Sequence, residues 1–350
     1  MYHPRFKGNH YDMGTKFGNI LKKANVEFSI QLDQFQLNFG KESAKFLKQY
    51  FPEATEEIKG VTDVLGIDNT FFTSWMMCMG CCMYNLEDQN NIEVRGCTAF
   101  GFEHNGKVYY GRDNDLPPFL KKGSKSVCYR PEKGNNFLLN TSSFINGEEG
   151  INNHGLTIAM TFVLSKLENI KPGFNSVFIV RYLLEKCRDV ADAMQAIKNI
   201  PIASNCNILM IDVKGNMVVA ECSPSKIYYR YPEKVGNKKF VITVNHFSSD
   251  VMRNYNAYPG ENEYFSHERY TTAYNAFKNT NINNDITFAK DLLSGKLGFM
   301  CQYSKNMNFD TIWSSIFDLT NNDVYIAEGN PKRKKYIVDD RFKKWIKNTN

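Results

Sequence analysis

Two extended runs joined by Asn105-Gly106 constrain this 350-residue chain more than any other stretch. Phe100-Gly101-Phe102-Glu103-His104 precedes the turn and Lys107-Val108-Tyr109-Tyr110 follows it. Asn-Gly supplies the two positive-φ positions that a tight β-hairpin needs. With a two-residue loop, residues whose numbers sum to 211 face each other, so Cys97 lies opposite Asn114 and Ala99 opposite Arg112. Arg112 then shares a sheet face with Cys97 as its diagonal neighbour, at roughly 7–8 Å. Asp115 falls on the other face if the strand continues, but Pro117-Pro118 must end it nearby, and a break before them would swing the carboxylate inward. Hairpin arithmetic thus gathers a thiol, a guanidinium and a carboxylate.

The flanking residues add a pattern: Arg95-Gly96-Cys97-Thr98-Ala99-Phe100 before the turn and Gly111-Arg112-Asp113-Asn114-Asp115 after it. Further blocks follow the same order as in a known family. These are the glycine-punctuated opening at 8–18, Thr243-Val244-Asn245-His246-Phe247, Ser266-His267-Glu268-Arg269-Tyr270, Thr311-Ile312-Trp313-Ser314 and Ala327-Glu328-Gly329-Asn330-Pro331. Together they resemble the N-terminal nucleophile (Ntn) hydrolases of the choloylglycine hydrolase and penicillin acylase group. The nearest resemblance is to the acyl-CoA:6-aminopenicillanic acid acyltransferase branch, whose nucleophilic Cys lies mid-chain and is freed by self-cleavage.

That resemblance implies an α+β fold, a four-layer αββα sandwich. It implies a helical pro-segment, residues 1–96, that becomes a small α subunit after cleavage between Gly96 and Cys97, with 97–350 as the catalytic β subunit. It assigns Cys97 as nucleophile, Arg112 and Asp115 to orienting it and binding the polar end of the substrate, and Arg269 to electrostatic support. Asn245 becomes the oxyanion donor, with a backbone amide near Phe162 as the second. Bile salt hydrolases begin almost at their Cys, unlike this chain, and the fungal acyltransferase pattern lacks the Arg of Gly-Arg-Asp-Asn-Asp. The site mixes the two.

Cys97 taken alone is an ordinary buried cysteine, but the chemistry open to it is specific. Glycine tolerates the strained backbone that attack of the thiol on the Gly96 carbonyl requires. Hydrolysis of the resulting thioester leaves a free α-amine of pKa about 7.7–8.0, able to act as base for its own thiol. The expected substrate is a small-molecule N-acyl amide or acyl thioester. Water as acceptor makes a hydrolase; an amine makes an acyltransferase, with acyl-CoA as a candidate donor. Two other readings stay open: a papain-type protease, which needs His and Asn partners, and an unprocessed homologue that binds without catalysis.

Bulk properties fit a globular protein with a large core, since hydrophobic residues are 42% and aromatic ones 14%. The net charge of +6 is dispersed, and Lys332-Arg333-Lys334-Lys335 lacks the stacking aromatics of a nucleic-acid site, so it reads as solvated. No run approaches the ~20 apolar residues of a membrane span, which leads to an expectation of a cytoplasmic protein without membrane contact. Nine cysteines, an odd and scattered set, suit reduced thiols. Cys78, Cys81 and Cys82 have metal-like spacing but no second ligand pair, so they read as core. His10, His104, His154, His246 and His267 show no ligand spacing either, and neither metal nor cofactor is expected. The oligomeric state is left open, with a homo-oligomer among the options.

Apolar periodicity predicts helices over 11–60, with one running from Phe28 through Leu32 and Phe35 to Phe39, stopped by Gly40, and another starting at Phe46-Leu47. Pro52 interrupts, a short helix ends at Gly66, and Asp68 caps a helix over 71–84. Residues 87–91 read as a polar loop exposing the scissile bond. After Cys97 strands dominate: 155–163, a hairpin of 208–212 with 217–221, then 227–231, 240–244, and a hairpin of 311–319 with 323–328. Helices are expected at 176–187, 189–199, 267–279 and 287–293.

Overall fold

The structure is a computed structural model that describes residues 1–28, 31–83, 96–257, 263–304 and 308–347. Arg95, Tyr84 and the loop expected at 87–91 lie outside the described residues. Two sheets form the centre. The first runs β1 (Arg5–Gly8), β4 (Lys125–Pro131), β5 (Phe137–Thr141), β6 (Glu149–Asn152), β7 (Thr157–Phe162), β8 (Cys206–Ile211), β9 (Met217–Ser223) and β10 (Lys226–Arg230). The second runs β11 (Glu233–Val235), β12 (Lys238–Thr243), β2 (Gly96–His104), β3 (Lys107–Leu116), β14 (Phe309–Asp318), β15 (Asp323–Ala327) and β16 (Ile337–Val338), with β13 (Tyr303–Ser304) beside β14.

The β2–β3 hairpin has the expected register, with Cys97 opposite Asn114 and Gly96 opposite Asp115. Asn105 and Gly106 both take positive φ, 51° and 74°. Alternation along β2 then sorts residues to two faces. Ala99 joins Tyr110, Leu138, Ile151, Leu209, Val219 and Phe317 in the apolar layer between the sheets. Phe100 and Phe102 face the other way, onto Phe277 of α7 (Ser266–Asn279) and Phe288 and Leu292 of α8 (Asp285–Leu293).

The opposite flank is a helix layer of mixed origin. It comprises α1 (His10–Lys23), α2 (Gln34–Tyr50), α3 (Pro52–Leu65), α4 (Asn69–Cys78), α5 (Ser176–Lys186) and α6 (Val190–Lys198). Phe17, Leu47, Ile58 and Phe72 share one apolar cluster with Val127, Phe137, Val177 and Phe178. The order is helix, sheet, sheet, helix: the αββα sandwich.

Two local expectations need correction. The helix expected from Phe28 to Gly40 and the one from Phe46 are a single helix, α2, with Gly40 inside it. A Cβ on Gly40 would lie 2.4 Å from the Ser74 carbonyl oxygen, so glycine here admits α4 rather than ending α2. The helix expected over 71–84 is shorter, Asn69–Cys78, although Asp68 caps it by accepting from the Phe71 amide at 2.7 Å. The mainly helical N-terminal segment also contributes one strand: β1 pairs in parallel with β4 and enters the first sheet at its edge.

Candidate active site

Cys97 sits on β2, 3% exposed, with its side chain turned toward the first sheet. Diagonal placement brings Arg112 close: its Nη2 donates to Cys97 Sγ at 3.0 Å and to Asn114 Oδ1 at 2.7 Å, and Nη1 donates to the Met160 carbonyl of β7. The thiol in turn donates to Asn114 Oδ1 at 3.3 Å. Burial pushes the Cys97 thiol up to about 11, although the Arg112 guanidinium opposes that rise. Burial pulls Arg112 down, but Cys97, Tyr110 and Glu149 more than offset it, so the net shift is upward.

The backbone of Cys97 is held separately. Its amide donates to Asn245 Oδ1 at 2.8 Å, just past the end of β12. The same oxygen accepts from Arg269 Nη2 at 2.7 Å, and these two donors fix which amide atom of Asn245 is oxygen. Asn245 Nδ2 donates to the Phe162 carbonyl at 2.8 Å. Arg269, fully buried in the first turn of α7, also donates to the Cys97 carbonyl, to Thr98 Oγ1 at 2.9 Å and to the Tyr264 carbonyl at 3.0 Å. The surface position open to a helical Arg is therefore not the one observed.

Asp115 stays on the face opposite the Cys97 side chain, because β3 continues to Leu116 between two paired strands. The break that would swing it inward does not occur before Pro117. Its Oδ1 accepts from Thr311 Oγ1 at 2.5 Å and its Oδ2 from Gln302 Nε2 at 3.4 Å. A register shift between Thr311 and Trp313 aims these two side chains to opposite faces. Thr311 reaches Asp115, and Trp313 Nε1 reaches Glu149 at 2.8 Å. Burial raises Asp115 to about 6, with Arg269, Thr311 and Gln302 pulling against it. Burial, then Asp115, holds Asp113 well above the usual carboxylate range.

Gly96 is fitted tightly between these groups. A Cβ there would lie 2.9 Å from Phe309 Cζ, 3.0 Å from Gln302 Nε2 and 3.3 Å from Asp115 Cβ. His246 adjoins the site without joining it: its Nδ1 pairs with Ser266 Oγ at 2.8 Å and its ring stacks on His267 at 4.2 Å. Burial, then His267 and Arg269, pulls His246 down to about 3, so it is a neutral packing group. Cys78 donates to the Gln36 carbonyl and Cys81 pairs with Ser204, and no metal-binding cluster of His, Cys, Asp and Glu occurs among the described residues.

Gly96, Cys97, Arg112, Asn245 and Arg269 thus converge, with Phe162 present through its carbonyl and Asp115 behind the Gly96-Cys97 backbone. Sequence reasoning missed Asn114, Thr311 and Gln302. Asn114 had a signal, since the hairpin register already placed it opposite Cys97. Thr311 had none, because a bulge cannot be read from the strand pattern.

A family model, described as acyl-coenzyme A:6-aminopenicillanic acid acyl-transferase, matches residues 102–333. The chain belongs to this acyl-transferase family. The matched span contains Arg112, Asp115, Phe162, Asn245 and Arg269 and begins five residues after Cys97. Similar solved structures include penicillin V acylase from Agrobacterium tumefaciens, at 15% identity and TM-score 0.43, covering 66% of this chain and 83% of that one. A mutant of the conjugated bile acid hydrolase from Clostridium perfringens stands at 15% and 0.44, covering 70% and 93%. The Caenorhabditis elegans ortholog of N-acylethanolamine-hydrolyzing acid amidase stands at 16% and 0.45, covering 64% and 93%. Among curated proteins none matches the chain.

Proposed function

We propose that this member of the acyl-transferase family is an N-terminal-cysteine amidase and acyl transferase, activated by cleavage of its own Gly96-Cys97 bond. The observation that carries the reading is the hydrogen bond from the Cys97 amide to Asn245 Oδ1 at 2.8 Å, beside a thiol that faces Arg112. The nitrogen that would become the new α-amine is already anchored on one side of the residue, while the sulfur lies on the other, between Arg112 and Asn114.

In the maturation step, Cys97 Sγ adds to the Gly96 carbonyl carbon, the C–N bond breaks, and the thiol proton passes to the departing nitrogen. Water then hydrolyses the thioester, leaving a Gly96 carboxylate and a free Cys97 amine and thiol. In turnover the amine takes the thiol proton and the thiolate attacks the carbonyl carbon of a linear amide or acyl thioester. The substrate's acyl C–N or C–S bond breaks, the leaving amine or thiol takes the proton back from the α-ammonium, and an acyl-Cys97 thioester remains. Asn245 Nδ2, moved from the Phe162 carbonyl, would donate to the oxyanion, a contribution typically worth ~10²–10³ in rate. Water or an amine resolves the acyl-enzyme. The family description favours acyl-CoA as one donor to try. A papain-like pair finds no support, since no imidazole among the described residues hydrogen-bonds Cys97.

Intact mass under denaturing conditions tests the proposal. Wild type is expected as fragments ending at Gly96 and starting at Cys97, and Cys97→Ala as one chain. An uncut wild-type chain would instead favour a binding protein whose N-terminal segment covers the thiol. On the cut protein, acyl adducts at Cys97 from N-acyl amino acids, penicillins, bile conjugates and acyl-CoA thioesters identify the substrate class.

A further inference from the structure

A second feature lies where α1 meets the start of β4. A cavity of about 700 Å³ is walled by Phe17, Ile20, Leu21, Val26 and Phe144, and Cys97 is not among its lining residues. Its volume and apolar walls are those of a small-molecule site, where one or two placed polar groups set ligand orientation. Here the placed group is Lys125, which is 9% exposed and also lines the cavity.

Lys125 is the buried cation that lines this cavity. Arg112 and Arg269 have site partners, and Arg181 pairs with Glu57 at 2.7 Å. Lys125 has no carboxylate within ion-pair distance among the described residues. Its Nζ donates to the Gly123 carbonyl at 2.9 Å and the Ser143 carbonyl at 2.5 Å and sits over the rings of Phe17 and Phe144, 5.4 and 5.9 Å from their centroids. An ammonium has three donors, so one remains uncommitted. Glu148, the nearest acid that acts on it, instead accepts from Ser142 N and Oγ. Burial lowers Lys125 to about 8. An unpaired ammonium at an apolar wall is costly, and a ligand carboxylate would relieve that cost.

We propose that this cavity binds an amphipathic monocarboxylate, its apolar chain between α1 and Phe144 and its carboxylate on Lys125. The proposal does not rest on chemistry at Cys97, and the test is made on the full chain carrying Cys97→Ala so that turnover cannot intervene. Calorimetric titration compares decanoate with 1-decanol, a neutral ligand of the same chain. Decanoate is expected to bind once per chain and about tenfold more tightly than the alcohol, the size of one hydrogen bond to a charged group. Lys125→Met should erase that preference. Ile20→Trp, at a position 43% exposed at the cavity mouth, should weaken both ligands without disturbing the core. Equal binding of acid and alcohol to the parent protein, or decanoate affinity unchanged by Ile20→Trp, overturns the proposal. If Lys125→Met fails to fold, the acid-to-alcohol ratio in the parent and the Ile20→Trp result still decide.

Discussion

Asn245 is held at both ends of its side-chain amide. Its oxygen takes donors from the Cys97 amide and Arg269, while its amide nitrogen rests on the Phe162 carbonyl. Asp115 works through a different coupling. Its carboxyl is raised to about 6 by burial, from an ordinary value of 3.8, so the folded state holds a proton the unfolded chain has released. Stability from this group is present below pH 3.8 and is lost as pH rises through about 6. If ionised Asp115 supports cleavage, the acid limb of the cleavage rate follows its pKa. Thr311→Val removes a hydrogen bond to the ionised form and is expected to move that limb upward by about one to two pH units. A limb that stays in place in a time course of precursor cleavage across pH would remove Asp115 from the mechanism. Asn114 offers a second residue-scale lesson: its Nδ2 is buried without a hydrogen-bond partner among the described residues, directly beside the thiol.

Between elements, the packing of α2 on α4 turns on Gly40. Helix propensity alone favours Gly40→Ala by about 1 kcal/mol. The added Cβ would meet Ser74 Cα at 2.5 Å, and overpacking of this kind typically costs about 1–3 kcal/mol. We expect a net loss of stability, seen as a lower melting temperature by circular dichroism; a melting temperature equal to or above wild type would show that α4 simply shifts aside. The same residue explains a misreading of the sequence. A glycine between two apolar runs looks like a helix stop, because its lack of a side chain is visible in sequence and its close neighbour is not. Where punctuation and caps act locally the reading held: Gly66 has φ 68° at the end of α3, and Asp68 caps α4.

Across the whole molecule, the elements of residues 1–28 and 31–83 pack into the core. Besides the shared apolar cluster, Arg181 of α5 donates to Glu57 of α3 at 2.7 Å and stacks on Tyr129 at 4.1 Å, and His10 pairs with Glu185 at 2.7 Å. All these groups are buried, and burial raises Glu57 above its ordinary range although Arg181 pulls against it. Arg181→Met would strand the buried Glu57 carboxylate and leave Glu185 with His10 alone, at a cost of roughly 3–5 kcal/mol. The expected result is a large drop in denaturation midpoint, partly recovered by adding Glu57→Gln; no recovery would mean that Arg181 acts through packing instead. The proposed fragments should also co-elute in native gel filtration and part only in denaturant. No helix among the described residues is long and apolar enough to cross a membrane.

The sequence by itself determined the hairpin, its register and therefore the meeting of Cys97 with Arg112, because a two-residue turn and strict alternation are short-range rules. It also marked most helices and strands after Cys97, where caps and hydrophobic period agree. Tertiary structure decided what depends on contacts distant in sequence. It kept Asp115 on the far face by pairing β3 on both sides, aimed Thr311 through a bulge, buried Arg269 against the Cys97 carbonyl, and drew Arg5–Gly8 into a sheet as an edge strand. Each of these is set by partners more than a hundred residues away, whose approach is governed by packing of the layers and leaves no periodic trace in the chain.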